Sequence, residues 1–189
     1  VSLAATNNIS VNSPIADTDV PAGGALTLTA GNDVNINAWI GTPAARFKHA
    51  LTLTAGNDVN VNGSIYQGDH PLVLAADANI PAQSIAPNGI GNVNIKALGA
   101  PVVIDTLGSM TVTGKDFNIL GGQNTSVTVN VGGLLDANLT GNFTLQGGSV
   151  SAETGDNIDA SASVQANAIN IIAAGASTIA GGDNAEGAG

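Results

Sequence analysis

The sequence predicts an all-β fold, a right-handed parallel β-helix of about eight or nine coils. Three observations predict it. The segment ALTLTAGNDVNINAWI at Ala25–Ile40 returns as ALTLTAGNDVNVNGSI at Ala50–Ile65, matching at 13 of 16 positions with a spacing of 25. Within each copy, apolar and polar residues alternate with a period of two, which suits short strands with one dry and one wet face. No stretch carries apolar residues at helical three-and-four spacing, and the chain is rich in Gly, Asn and Thr, which are poor helix formers.

The elements follow in order. An early partial copy, NNISVNSPI, starts at Asn7. In the first full copy Leu26, Leu28, Val34 and Ile36 alternate with Thr27, Thr29, Asn35 and Asn37. In the second, Leu51, Leu53, Val59 and Val61 take the apolar places. Gly31-Asn32-Asp33 and Gly56-Asn57-Asp58 interrupt the alternation and read as tight bends. Each repeat is then strand, bend, strand, bend and a short third segment near Ile40 or Ile65. Weaker copies begin at Pro71, Gly91, Ser109, Thr125, Gly141 and Ala166. Coils stacked at about 4.8 Å would set Asn35 near Asn60, Asn37 near Asn62 and Leu26 near Leu51. Asn amides would form ladders along the axis while aliphatic side chains fill a thin interior. Crossover chirality favours the right-handed form. The spacing from Met110 to Val127, 17 residues, predicts shorter and more regular late coils.

Two excursions interrupt the pattern, near 39–50 and near 66–90. The first, WIGTPAARFKHA from Trp39, gathers aromatic and basic residues. The second includes Asp69 and His70 and the run Pro81–Pro87, whose prolines would break a ladder and mark a loop. The β-helix is expected over 1–172, with 173–189 a low-complexity tail or an incomplete last coil. Gly-Gly pairs at 121–122, 132–133 and 147–148 read as bends between strands. The N-terminus lacks both Met and a basic segment ahead of an apolar one, so a mature product or a piece of a longer protein is expected.

Composition narrows the function classes. Lys plus Arg number 4 against 14 Asp plus Glu, a net charge of −10. That balance disfavours nucleic acid, whose recognition needs cations to displace counterions, and attachment to anionic lipid. The apolar runs are too short for a membrane-spanning helix. With no Cys, thiol nucleophiles, disulfides and thiolate metal sites are excluded.

The unit LTLTAGNDVNVNGSI and its copy LTLTAGNDVNINAWI resemble the body repeats of filamentous haemagglutinin-like exoproteins. These are large Gram-negative adhesins exported by two-partner secretion. The likeness covers 25–65 well and 71–172 loosely. It implies a right-handed parallel β-helix and a secreted or cell-surface location. It also implies export by an outer-membrane partner transporter, and a host-cell or bacterial surface glycan or protein as partner. The family's export domain carries an NPNL-type stretch that is absent here, which implies the shaft or a receptor-binding section. No catalytic residue is carried over. A sugar-cleaving enzyme on the same fold, acting on polysaccharide, is the runner-up, and a self-associating surface protein is a third reading.

Individual residues sharpen these readings. Asp33 and Asp58 hold the same repeat position. They could cap their own bends, serve as weak calcium ligands or form a carboxylate pair as in glycoside hydrolysis. The calcium-binding glycine-rich nonapeptide needs a nine-residue period, whereas the period here is 25. His49 and His70 read as exposed loop histidines. Sequons such as those at Asn8, Asn124, Asn138 and Asn142 occur about as often as chance supplies. The best contact candidates are Trp39, Arg46, Phe47, Lys48 and Tyr66. Trp39 stands where the second copy has Ser64, so the fold does not need an aromatic there. Exposed aromatics stack on sugars or peptides. Alternatively the excursion folds back and covers the stack with Trp39 and Phe47.

Overall fold

The computed structural model describes residues 1–81, 87–149 and 160–181. The strands among them are β1 (Ser2–Ala5), β2 (Ile9–Val11), β3 (Ala25–Ala30), β4 (Val34–Ile36), β5 (Ala50–Ala55), β6 (Val59–Val61), β7 (Ile65–Gln67), β8 (Leu72–Ala75), β9 (Val93–Lys96), β10 (Val102–Thr106), β11 (Met110–Gly114), β12 (Phe117–Leu120), β13 (Val127–Leu139), β14 (Phe143–Gln146), β15 (Ala162–Ala173) and β16 (Ser177–Ala180). The helical content of the described residues is one 3-10 turn, Asp17–Asp19. No helix among them is long and apolar enough to cross a membrane.

All strand pairing within the two sheets is parallel. A nine-stranded sheet runs β1-β3-β5-β8-β11-β13-β10-β7, with β15 on β13, and curls through about 233°. A seven-stranded sheet runs β16-β14-β12-β9-β6-β4-β2. The long strands β13 and β15 explain the curl. The first half of β13 pairs with β10 and its second half with β11, so one strand spans two faces of the stack.

The two near-identical segments lie directly over one another. Leu26 pairs with Leu51, Leu28 with Leu53, Val34 with Val59 and Asn35 with Asn60. The third segments meet through bridges Ile15–Ile40 and Ile40–Ile65. Alternation survives in a parallel sheet because only one face is covered. The burial of β3 and β5 switches residue by residue, Leu and Ala inward, Thr outward. Columns of like residues build the core. Leu28, Leu53, Leu74, Val112 and Ala137 succeed one another along the stack, all buried. Each large aliphatic side chain so buried contributes roughly 1.5–3 kcal/mol.

The period differs from the sequence expectation in two respects. Among the described residues the seven-stranded sheet carries seven rungs, where the sequence leads one to expect about eight or nine coils. Late rungs also do not shorten to 17: the offset is 25 from β10 and β11 to β13, and 34 or 35 from β13 to β15 and from β14 to β16. Val102 pairs with Val127 and Met110 with Leu135, whereas Met110 and Val127 lie on different faces. The copies beginning at Ser109 and Thr125 therefore lie on different faces of the stack, with β12 between them. The pair Gly132-Gly133 turns the chain inside β13, at a register shift, and not between two strands. A Cβ on Gly132 would stand 2.5 Å from the Leu107 carbonyl oxygen, so this corner admits only glycine.

The region near 66–90 is partly regular, since β7 and β8 fall within it. The expected loop at 82–86 lies outside the described residues. Of the tail, Ser177–Ala180 pairs with β14 as part of the last rung, and 182–189 lie outside the described residues.

Candidate functional site

The excursion after Ile40 is anchored at both ends. Gly41 has φ +66°, and a Cβ there would strike the Tyr66 carbonyl oxygen. The chain returns when Phe47 donates its N–H to that same oxygen at 2.9 Å, and Gly68 donates to the Phe47 carbonyl at 2.9 Å. Phe47 is thereby driven into the core with no exposed surface, packing edge-on against His49 at 5.3 Å. The contact role expected for Phe47 is overturned: it is a core residue. His49 is likewise buried, not an exposed loop histidine. Its Nε2 lies 3.5 Å from Asp17 Oδ1, which also accepts the Lys48 N–H at 2.6 Å.

Arg46 does not offer a free charge. Its Nη2 meets Asp105 Oδ2 at 2.6 Å, and its Nη1 donates to the carbonyl oxygens of Asp105 at 3.0 Å and Gln67 at 3.1 Å. The guanidinium thus clamps the excursion to β7 and β10. Gln67, fully buried, completes the clamp: its Nε2 faces the carbonyls of His49, His70 and Pro71 at 3.1, 3.1 and 2.9 Å. Sequence reasoning passed over Gln67, Asp105 and Asp17. The available signal for Gln67 was a polar residue at an inward position of a strand.

Trp39 and Lys48 remain. Trp39 is 56% exposed, one rung before Ser64, whose hydroxyl accepts the Val103 N–H at 3.0 Å. Lys48 is exposed and Tyr66 half-buried. His70 is exposed beside Asp69, with Nδ1 3.0 Å from its carboxylate.

Asp33 and Asp58 do not cap their own bends. Each carboxylate accepts from the following rung. Asp33 Oδ1 takes the Asp58 N–H at 3.2 Å and the Asn57 amide at 2.9 Å, and Asp58 Oδ1 takes the Asn92 N–H at 2.7 Å. Burial pushes the Asp58 carboxyl up from its ordinary pKa; the Asn92 N–H opposes this, the Asp33 charge adds to it, and the Asn92 side chain opposes it. Arg46, committed to β10, does not serve this corner. Among the described residues no three His, Asp or Glu side chains gather to hold a metal.

The outward face of the seven-stranded sheet carries amide rows. Asn60 donates to Asn35, Asn94 to Asn60 and Asn118 to Asn94, at 2.9–3.0 Å. Asn37 donates to Asn12 and Asn62 to Asn37, at 2.9 and 3.1 Å. The interior amides of the rows, Asn60, Asn94 and Asn37, each give one hydrogen and take one, keeping a second donor and lone pair for solvent. Lys96, Leu98 and Leu120 border a shallow depression over these rows.

Comparison with protein-family models, curated proteins and solved structures returns no match to this chain.

Proposed function

We propose that this chain is a length of right-handed parallel β-helix from the shaft of a secreted, surface-exposed adhesin of the filamentous haemagglutinin-like kind. Its work is extension and presentation. The observation that carries this reading is the residue-on-residue register of Ala25–Ala30 on Ala50–Ala55. Identical side chains superpose, and each rung needs only its neighbours, so length adds by repetition without a bulky core. Seven rungs make a stack about 30 Å tall at the strand spacing. Right-handedness follows from the chirality of parallel crossovers.

Contact with a surface glycan or protein falls to the flank with exposed Trp39 and Lys48. An exposed aromatic face suits a sugar ring or a peptide side chain, and an exposed ammonium suits an acidic group. Polysaccharide cleavage is less well supported. The acids at the β3–β4 and β5–β6 bends are occupied by N–H donors, and Arg46 is bound to Asp105.

A glycan and matrix-protein array with wild type and Trp39→Ala tests the reading. A hit present in wild type and lost in the variant supports the flank as the contact surface. Equal binding by both overturns that assignment. Substantial helix in far-UV circular dichroism would overturn the scaffold itself.

A further inference from the structure

The sequence holds two Asn-Gly steps, Asn62-Gly63 and Asn88-Gly89. At such a step the backbone nitrogen can attack the preceding side-chain amide, because glycine puts no side chain in the way of ring closure. The fold treats the two steps in opposite ways. At the first, the Gly63 N–H is taken by the Ile36 carbonyl at 2.9 Å, and Asn62 donates its amide to Asn37 at 3.1 Å. Gly63 is also buried against the Ala38 carbonyl, which leaves its peptide no room to turn.

At the second step three groups converge on one peptide. Asp77 Oδ2 accepts the Gly89 N–H at 2.9 Å, and Asp77 Oδ1 accepts the Asn88 N–H at 2.6 Å. Asn88 Oδ1 accepts the Ile90 N–H at 3.0 Å, which folds the side chain back over the Asn88–Gly89 peptide. The frame around them is fixed. Asp77, at φ 51°, donates its own N–H to the Asn57 carbonyl at 3.0 Å, and Ala78 donates to Ala55 at 3.0 Å. On the other side the Gly91 carbonyl accepts the Lys115 N–H at 2.8 Å. Gly89 itself, at φ 77°, has open space beside its Cα.

We propose that Asn88 is a modification site, deamidated by intramolecular attack with Asp77 as general base. Asp77 Oδ2 takes the proton from the Gly89 nitrogen as that nitrogen bonds to Asn88 Cγ. The Ile90 N–H steadies the negative charge that develops on Oδ1. The proton passes to the side-chain nitrogen, the Cγ–Nδ2 bond breaks, and ammonia leaves. Water then opens the succinimide at either carbonyl, giving aspartate or isoaspartate at position 88. Asn88 and Gly89 are exposed, so water reaches the ring. The product sets a carboxylate beside that of Asp77, and like charges repel, so the grip of Asp77 on this turn is released in one direction only. The inference rests on the hydrogen bonds of Asp77 and not on the adhesin reading, so its failure leaves the array experiment untouched.

The test incubates wild type folded and unfolded in guanidinium chloride, beside folded Asp77→Asn. Residue-resolved mass spectrometry follows the change of amide to acid, and an isoaspartyl methyltransferase assay counts isoaspartate. In folded wild type Asn88 converts several-fold faster than in the unfolded chain, where the same Asn-Gly step has neither base nor oxyanion donor. Asn62, in the same samples, shows what the fold does to a step that lacks them. Asp77→Asn keeps the size of the side chain and removes the base, so the folded rate at Asn88 falls roughly tenfold or more. Far-UV circular dichroism checks that the variant keeps its strands, and the comparison of folded with unfolded wild type needs no variant. Conversion of Asn88 no faster in the folded chain than in the unfolded one overturns the proposal. So does a folded Asp77→Asn that converts as fast as wild type or faster, the result expected of a carboxylate that only holds the Gly89 N–H in place.

Discussion

Asp33 Oδ1 accepts the backbone N–H of Asp58, a residue 25 positions later, at 3.2 Å. The same bond recurs at this corner. Asn8 Oδ1 accepts from Asp33, Asp58 from Asn92, Asp116 from Asn142, and Asn142 from Ala176. A short side-chain acceptor tucked under the next rung's N–H holds the corner where the ladder is bent. The column mixes Asp and Asn because either oxygen serves, but only Asp brings charge.

That mixture gives a pH prediction. The folded Asp58 carboxyl titrates above its unfolded value. Its contribution to stability is therefore complete below the unfolded pKa of about 3.9. It is lost as pH rises through the folded pKa, because the native state binds the proton more tightly. Asp58→Asn keeps the acceptor for Asn92 and removes the charge facing Asp33. The variant should melt higher than wild type at pH 7, with the difference shrinking toward pH 3. Thermal melts across that range check both the sign and the window.

The amide row makes a graded prediction. Asn60 gives one bond to Asn35 and takes one from Asn94, whereas Asn118 gives one to Asn94. Each such bond contributes about 0.5–1.5 kcal/mol net. Asn60→Ala should then cost about twice what Asn118→Ala costs in urea unfolding. Equal costs would mean that the amides act singly.

What was legible in the sequence was what repeats. Leu26 over Leu51 and Asn35 over Asn60 follow from a near-exact copy whose period-two alternation fixes which side faces inward. What was not legible depends on pairing between dissimilar segments. Nothing local marks Arg46 as the partner of Asp105, 59 residues away. The same blindness produced the 17-residue spacing: Met110 and Val127 head similar-looking strands, and only the pairing of β13 with both β10 and β11 separates their faces. The inward turn of Phe47 is held by its N–H on the Tyr66 carbonyl and its carbonyl under the Gly68 N–H, which no alternation announces.

Phe47 and Trp39 should therefore separate cleanly on substitution. Phe47 is fully buried, so Phe47→Ala should cost about 3–5 kcal/mol through lost transfer energy and the cavity left behind. Trp39 is mostly exposed and its place is filled by Ser64 in the next rung, so Trp39→Ala should stay within about 0.5 kcal/mol. Denaturant midpoints for the two variants measure this directly. A large loss from Trp39→Ala would mean that its ring covers the stack.

The Arg46 clamp should be visible to trypsin. Both partners keep about a quarter of their side-chain surface exposed, 24% and 25%, so screening weakens the ion pair itself. Much of the hold comes from geometry, because one planar fork reaches the Asp105 carboxylate and two carbonyl oxygens together. Arg46→Lys retains the charge but cannot fill all three positions, and should lose about 1–2 kcal/mol. Asp105→Ala leaves the guanidinium its carbonyl partners alone and should loosen the excursion without unfolding the stack. Cleavage after Arg46 and Lys48 should then run several-fold faster than in wild type, while Asp105→Asn, which keeps an acceptor, falls between. Unchanged cleavage in Asp105→Ala would assign the anchoring to Gly41, Phe47 and Gln67 instead.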